Sequence, residues 1–245
     1  MKQPPIEMRW GGGKWKKPYR TATQPWVRGA IELTHDMLEH LDVSYDEPKT
    51  VTVRRVGCHW DGSLGSAEGT RQAELYIPHQ IIKRQKVGRY FSDIALTTFH
   101  EIVHTIREEH APQNNLLERV VAEGIAARGE SHMAGELFDA REAAYHAAEY
   151  SGEISPEIEE RLLGYLLDDA VLESALYEQG YAQDSDEIDE IYSAWFDGQD
   201  SFHLGAGAVL GLMAVRRLED AGCTYSHIVQ LPTEDIIGLT SQLAA

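Results

Sequence analysis

His100-Glu101-Ile102-Val103-His104 sets two imidazoles four residues apart, with a carboxylate directly after the first. On an α-helix this spacing stacks the rings one turn above the other, close enough to share a metal ion. Glu101 is turned aside from them by about 100°. The pattern is H-E-x-x-H, in which the histidines ligate zinc and the glutamate serves as a base toward water. The flanks predict the helix itself: Ile94, Phe99, Ile102, Val103 and Ile106 recur near a period of 3.6, with Ser92 placed as N-cap. The histidines lie off that apolar stripe.

Two residues compete for the third ligand position. Glu123 follows in Asn115 to Ala127, a second predicted helix opened by an Asn115/Glu118 capping box. There it shares a face with Leu116, Val120 and Ala127. A carboxylate on an apolar stripe is costly unless paired or metal-bound, so the position favours a ligand, with a salt bridge to Arg119 as the alternative. Gly124, beside it, would let another backbone approach closely. The rival is His110, at the six-residue step of H-E-x-x-H-x-x-G-x-x-H proteases. That motif turns sharply at a glycine, and the equivalent position is Arg107, which should carry His110 onward in the helix. Ser131-His132-Met133 imitates the accompanying Met-turn only weakly. Glu123 is therefore preferred, with His110 expected to be a solvated residue just before Ala111-Pro112.

At this point the chain resembles a known group. His100-Glu101-x-x-His104 followed by Glu123 is similar to the gluzincin type of zinc peptidase. His100 to Arg107 with Ala122-Glu123-Gly124-Ile125-Ala126 also resembles a predicted zinc-dependent protease family that carries an unknown-function label. The likeness covers residues 70 to 130 and is loose around Ser201-Phe202-His203-Leu204-Gly205. It implies Zn²⁺ held by His100, His104 and Glu123, with Glu101 as base.

Three protein ligands leave one position for water, which zinc acidifies, and Glu101 would take its proton and pass it to a leaving amine. A peptide or protein is the expected substrate. Oxyanion stabilisation is assigned first to His203, at the start of a predicted helix whose His203, Gly207 and Gly211 form a thin face for close packing, and second to Tyr192. Both have an ordinary alternative, as a capping or core histidine and a core tyrosine. Two other functional classes share the motif: a non-catalytic zinc protein that binds a partner, and a hydrolase of non-peptide amides.

With 245 residues and 42% hydrophobic content the chain can bury one large core. The net charge of −18 and pI near 4.9 argue against nucleic acid and against an anionic membrane surface as partners. Charge is uneven. Residues 1–28 hold Lys2, Arg9, Lys14, Lys16, Lys17, Arg20 and Arg28 against Glu7 alone, so a net charge of +6 there leaves −24 for the remainder. This basic arm, with Gly11-Gly12-Gly13, four prolines and Trp10, Trp15 and Trp26, is expected to be irregular but pinned by its aromatics. A partner-docking or pro-segment-like role is the sharper reading of it. No signal-peptide core or membrane span is evident, and Cys58 and Cys223 form no C-x-x-C pair, so a cytoplasmic protein is expected.

The elements that must position the motif follow from the same patterns. A helix is expected from residue 24 to Leu41 with Pro25 in its first turn. Strands are expected at 51–56 and 73–77, flanking a glycine-rich loop from Gly57 to Thr70 in which His59, Trp60 and Asp61 would line the cleft. Zincin folds resemble this order, and the second strand is placed as the edge that meets substrate. Beyond residue 130 five helices are expected, at 135–150, 155–179, 185–196, 202–218 and 233–243. Asp184 to Glu190 is read as a solvated helix start rather than a calcium loop. The fold class is α+β, predominantly helical, zincin-like: an arm at 1–28 and one domain at 29–245, whose 130–245 part is a helical subdomain.

Overall fold

The computed structural model describes residues 3–12, 15–57, 64–84, 86–112, 116–137 and 206–244. Their architecture is α+β and mostly helical, with one four-stranded mixed sheet. The described residues divide into two compact units, one running to Glu109 with Glu136 and Leu137, the other formed by 110–135 and 206–244.

In the first unit β1 (Ile6–Trp10), β2 (Lys49–Val56) and β4 (Gln72–Pro78) run parallel, and β3 (Leu64–Glu68) runs antiparallel to β4, in the order β1-β2-β4-β3. Side chains alternate along a strand, so Val51 and Val53 share one face with Ala73, Leu75 and Ile77, all buried. The opposite face carries Thr52, Arg54, Glu74 and Tyr76, where Arg54 donates two hydrogen bonds to Glu74 at 2.6 and 2.5 Å. α1 (Lys17–His40) packs against β1, α3 (Phe91–His110) meets the apolar face at Gly65 of β3, and both share the unit with the short α2 (His79–Lys83) and a 3₁₀ turn at Val87–Tyr90.

The strand at 73–77 is therefore central, paired on both sides, and the edge is β3. β3 arises inside the stretch expected to be a loop. Gly69, at φ +60°, makes the tight reversal that folds it back on β4. Two further expectations are corrected. The described part of the arm is not irregular: it supplies β1 and the first turns of α1, with the Trp10 and Trp15 rings 4.6 Å apart and tilted by 56°, and the Arg20 guanidinium 5.7 Å from the Trp10 ring. α1 starts at Lys17 because Pro18 suits a first turn, which leaves Pro25 inside the helix.

A buried cation ties the C-terminal end of α3 to the sheet. Lys49 Nζ donates to the carbonyls of Thr70 (2.6 Å) and Thr105 (3.4 Å) and pairs with the Glu109 carboxylate. Glu109 also accepts from the Asp46 and Glu47 amides at 3.1 and 3.3 Å. Burial pulls the Lys49 ammonium below the usual lysine range, and its contact with Glu109 opposes that pull.

The second unit comprises α4 (Leu116–Leu137), α5 (Ala206–Asp220), α6 (Tyr225–Gln230) and α7 (Thr233–Ala244). α4 is buried almost all round from Val120 to Glu130, as small and apolar residues occupy every side of it. Gly124 lies directly against the Gly211 backbone, and a methyl group at either position would overlap main-chain atoms. This is the close approach expected at Gly124, and the thin helix face expected at Gly211. α5 ends where Gly222 takes φ +96°, its amide bonding Glu219 O at 2.8 Å and that of Cys223 bonding Leu218 O at 2.9 Å. The helices expected at 135–150, 155–179 and 185–196, and the acidic stretch 184–190, lie wholly or mostly outside the described residues. Among those described, no helix is long and apolar enough to cross a membrane.

Candidate metal centre

α3 is a continuous helix through the motif. It follows the 3₁₀ turn without a break, so Ser92 stands inside its first turn rather than at its cap, and Asp93 supplies the acidic residue there. Ile94, Phe99, Ile102, Val103 and Ile106 are all buried and fix the rotation of the helix. That rotation brings His100 and His104 to one side, only 8% and 5% exposed.

The two Nε2 atoms face each other at 2.9 Å, with the ring centroids 4.7 Å apart and the planes tilted by 62°. Two nitrogens bound to one tetrahedral zinc at ~2.05 Å each stand ~3.3 Å apart, so this pair is close to a ligating arrangement. His100, His104 and Glu123 each offer one ligand atom, and these atoms all lie within 4.8 Å of one another. Two imidazoles and one carboxylate form an N/N/O donor set that suits zinc and neighbouring divalent metals.

Glu101 is buried at 8% exposure, and its carboxylate rests against β3. Gly65, paired with Leu75 and thus on the apolar face of the sheet, has no side chain where the carboxylate sits, and a Cβ there would overlap it. No sequence pattern pointed to Gly65. The one available signal was the glycine-marked turn at 69–71 followed by an alternating strand, which reads as a hairpin and demands a partner strand on its N-terminal side.

His110 is the exposed last residue of α3 and is not among the clustered side chains. Ser131-His132-Met133 forms no turn, being helical within α4, and the His132 Nε2 meets the Glu219 carboxylate at 2.8 Å. Asn115, His203, Tyr192, His59, Trp60, Asp61 and Cys58 lie outside the described residues, and Cys223 is a half-buried free thiol.

No family model, curated protein or solved structure matches this chain. Its chemistry has to be argued from these side chains alone.

Proposed function

We propose that the protein is a zinc-dependent hydrolase that cleaves peptide bonds, with His100, His104 and Glu123 as metal ligands and Glu101 as general base. The observation that carries this reading is the convergence of two imidazoles and a carboxylate within 4.8 Å, on residues that also spell H-E-x-x-H. Zinc, when bound, polarises a carbonyl and lowers the pKa of water toward neutrality.

The remaining steps belong to the chain. Glu101, one residue beyond His100 and turned about 100° from it, takes the proton of the attacking water and delivers it to the leaving amine. The bare backbone at Gly65 gives that carboxylate its space. Peptides are favoured over other amides by β3, which pairs with β4 alone among the described strands and so leaves a main-chain edge for an extended substrate.

Elemental analysis of the wild type and three variants tests the assignment. About one zinc per chain is expected in the wild type and in Glu101→Gln, and little in His104→Ala or Glu123→Ala. Hydrolysis of a peptide library should fall by ~10²- to 10⁴-fold in Glu101→Gln, the usual contribution of a positioned base. A metal-free wild type would overturn the reading, and so would a Glu101→Gln variant that hydrolyses at the wild-type rate.

A further inference from the structure

The basic residues of the N-terminal arm and their neighbours have no part in that chemistry, yet several of them meet. At the C-terminal ends of the parallel strands, Arg55 continues the inward column of Val51 and Val53 beyond the core, beside Ile77 and Pro78 of β4. His79 follows at once as the first residue of α2, with the edge of Tyr19 packed on its ring at 5.6 Å between centroids. Lys83 closes the same short helix. Lys16 stands at the N-cap of α1, whose first turn has no acidic residue.

These groups come from three separate segments, brought near one another by the β2–β4 register, the Tyr19–His79 ring contact and the one-turn spacing of His79 and Lys83. The His79 imidazole is held below its ordinary pKa first by burial and then by Arg55, Lys83 and Lys16. Its Nδ1 is buried and makes no hydrogen bond. Among the described residues, none of the three cations is ion-paired with a carboxylate. A chain of net charge −18 repels anions at long range, so three cations without carboxylate partners near the His79 ring form a local exception to its field. The carboxyl ends of parallel strands are also where open sheets bind ligands.

We propose that Lys16, Arg55, Lys83 and His79 form a binding site for a phosphate-type oxyanion, separate from the metal centre. A compact dianion fits better than an extended acidic chain, because the cations belong to three different segments near one imidazole and not to one strand or helix face. The guanidinium offers a two-pronged donor, the ammonium groups add charge, and a bound dianion draws a proton onto the His79 ring. The site does not depend on zinc or on hydrolysis.

Proton NMR of the histidines in the full chain tests this, with inorganic phosphate as the probe and sodium chloride at equal ionic strength as the control. Phosphate should shift His79 saturably and raise its pKa, since a bound dianion favours the imidazolium. Lys83→Ala and Arg55→Ala should each weaken binding about tenfold, equivalent to one charge-assisted hydrogen bond. Arg217→Ala, on α5, should leave it unchanged. Lys83 is exposed, so its loss tests the site even where Arg55→Ala fails to fold. A short phosphoserine peptide run alongside identifies the source: whichever of it and inorganic phosphate binds tighter, both support the site. Three results would overturn it: a His79 response equal to that in chloride, unchanged affinity in Lys83→Ala, or tighter binding of an oligoglutamate than of phosphate.

Discussion

The two helices that carry the proposed ligands are anchored in their own units by opposite means. α3 is tied at its C-terminal end by charge: a buried lysine from β2 reaches two carbonyls and the Glu109 carboxylate, which also caps two amides. α4 is fixed by the lack of side chains, with Gly124 against the Gly211 backbone and the Tyr225 hydroxyl donating to Ile125 O at 2.8 Å. An anchor of the first kind responds to the chemistry of its partners and hardly to their volume. The second responds to volume and hardly to charge. Substitutions of each class should therefore separate the two helices.

Glu109→Ala should have the largest effect, about 3–5 kcal/mol, because it leaves the Lys49 ammonium buried without its carboxylate. The double variant Lys49→Met/Glu109→Leu should recover most of that loss. A double-mutant cycle in urea measures the coupling, and strict additivity would mean that charge is not the anchor. Next is Gly211→Ala, expected to cost about 3 kcal/mol by forcing α5 off α4, with the same loss at low and high salt. A strong salt dependence would contradict anchoring by contact alone. Tyr225→Phe should cost about 1 kcal/mol, the worth of one hydrogen bond, with no change in zinc content.

The smallest effect concerns the charges that α4 does use. Burial pushes the Glu219 carboxyl up, but hydrogen bonds from His132 and Arg128 outweigh it and hold the group below its ordinary 4.5. A carboxyl depressed by folding stabilises the folded state fully above that ordinary value, and this contribution is lost as the pH falls below it. Melting curves of wild type and Glu219→Gln should therefore differ at pH 7 and converge below pH 4.5. Parallel curves across that range would show that Glu219 makes no such contribution.

What could be read in advance follows the same division. α3 was legible because five apolar residues repeat at helical period, and Glu123 because a carboxylate among apolar neighbours needs a reason. Gly124 and Gly211 were legible as positions that allow close helix packing. β3 was not, since Leu64-Gly65-Ser66-Ala67-Glu68 has no alternation of apolar and polar residues; its pairing partner defines it, not its composition. The strand order was hidden for a related reason: β4 joins β2 on one side and β3 on the other, and no local pattern encodes that. The basic cluster at His79 was invisible because Lys16 and Arg55 are distant from it in sequence and are brought near by the Tyr19 contact and the parallel register.

That strand order also carries a history. β3 and β4 are joined by three residues, whereas β1 meets β2 only after the whole of α1 has been crossed. The entropy lost on closing a loop grows with its length, so the hairpin is the part of the sheet that assembles early and β1 the part that arrives late. Amide hydrogen exchange should follow the same ranking, with β1 opening alone while the hairpin stays closed. The strand beneath Glu101 therefore belongs to the early-forming part of the sheet, and the arm that brings Lys16 to His79 belongs to the last.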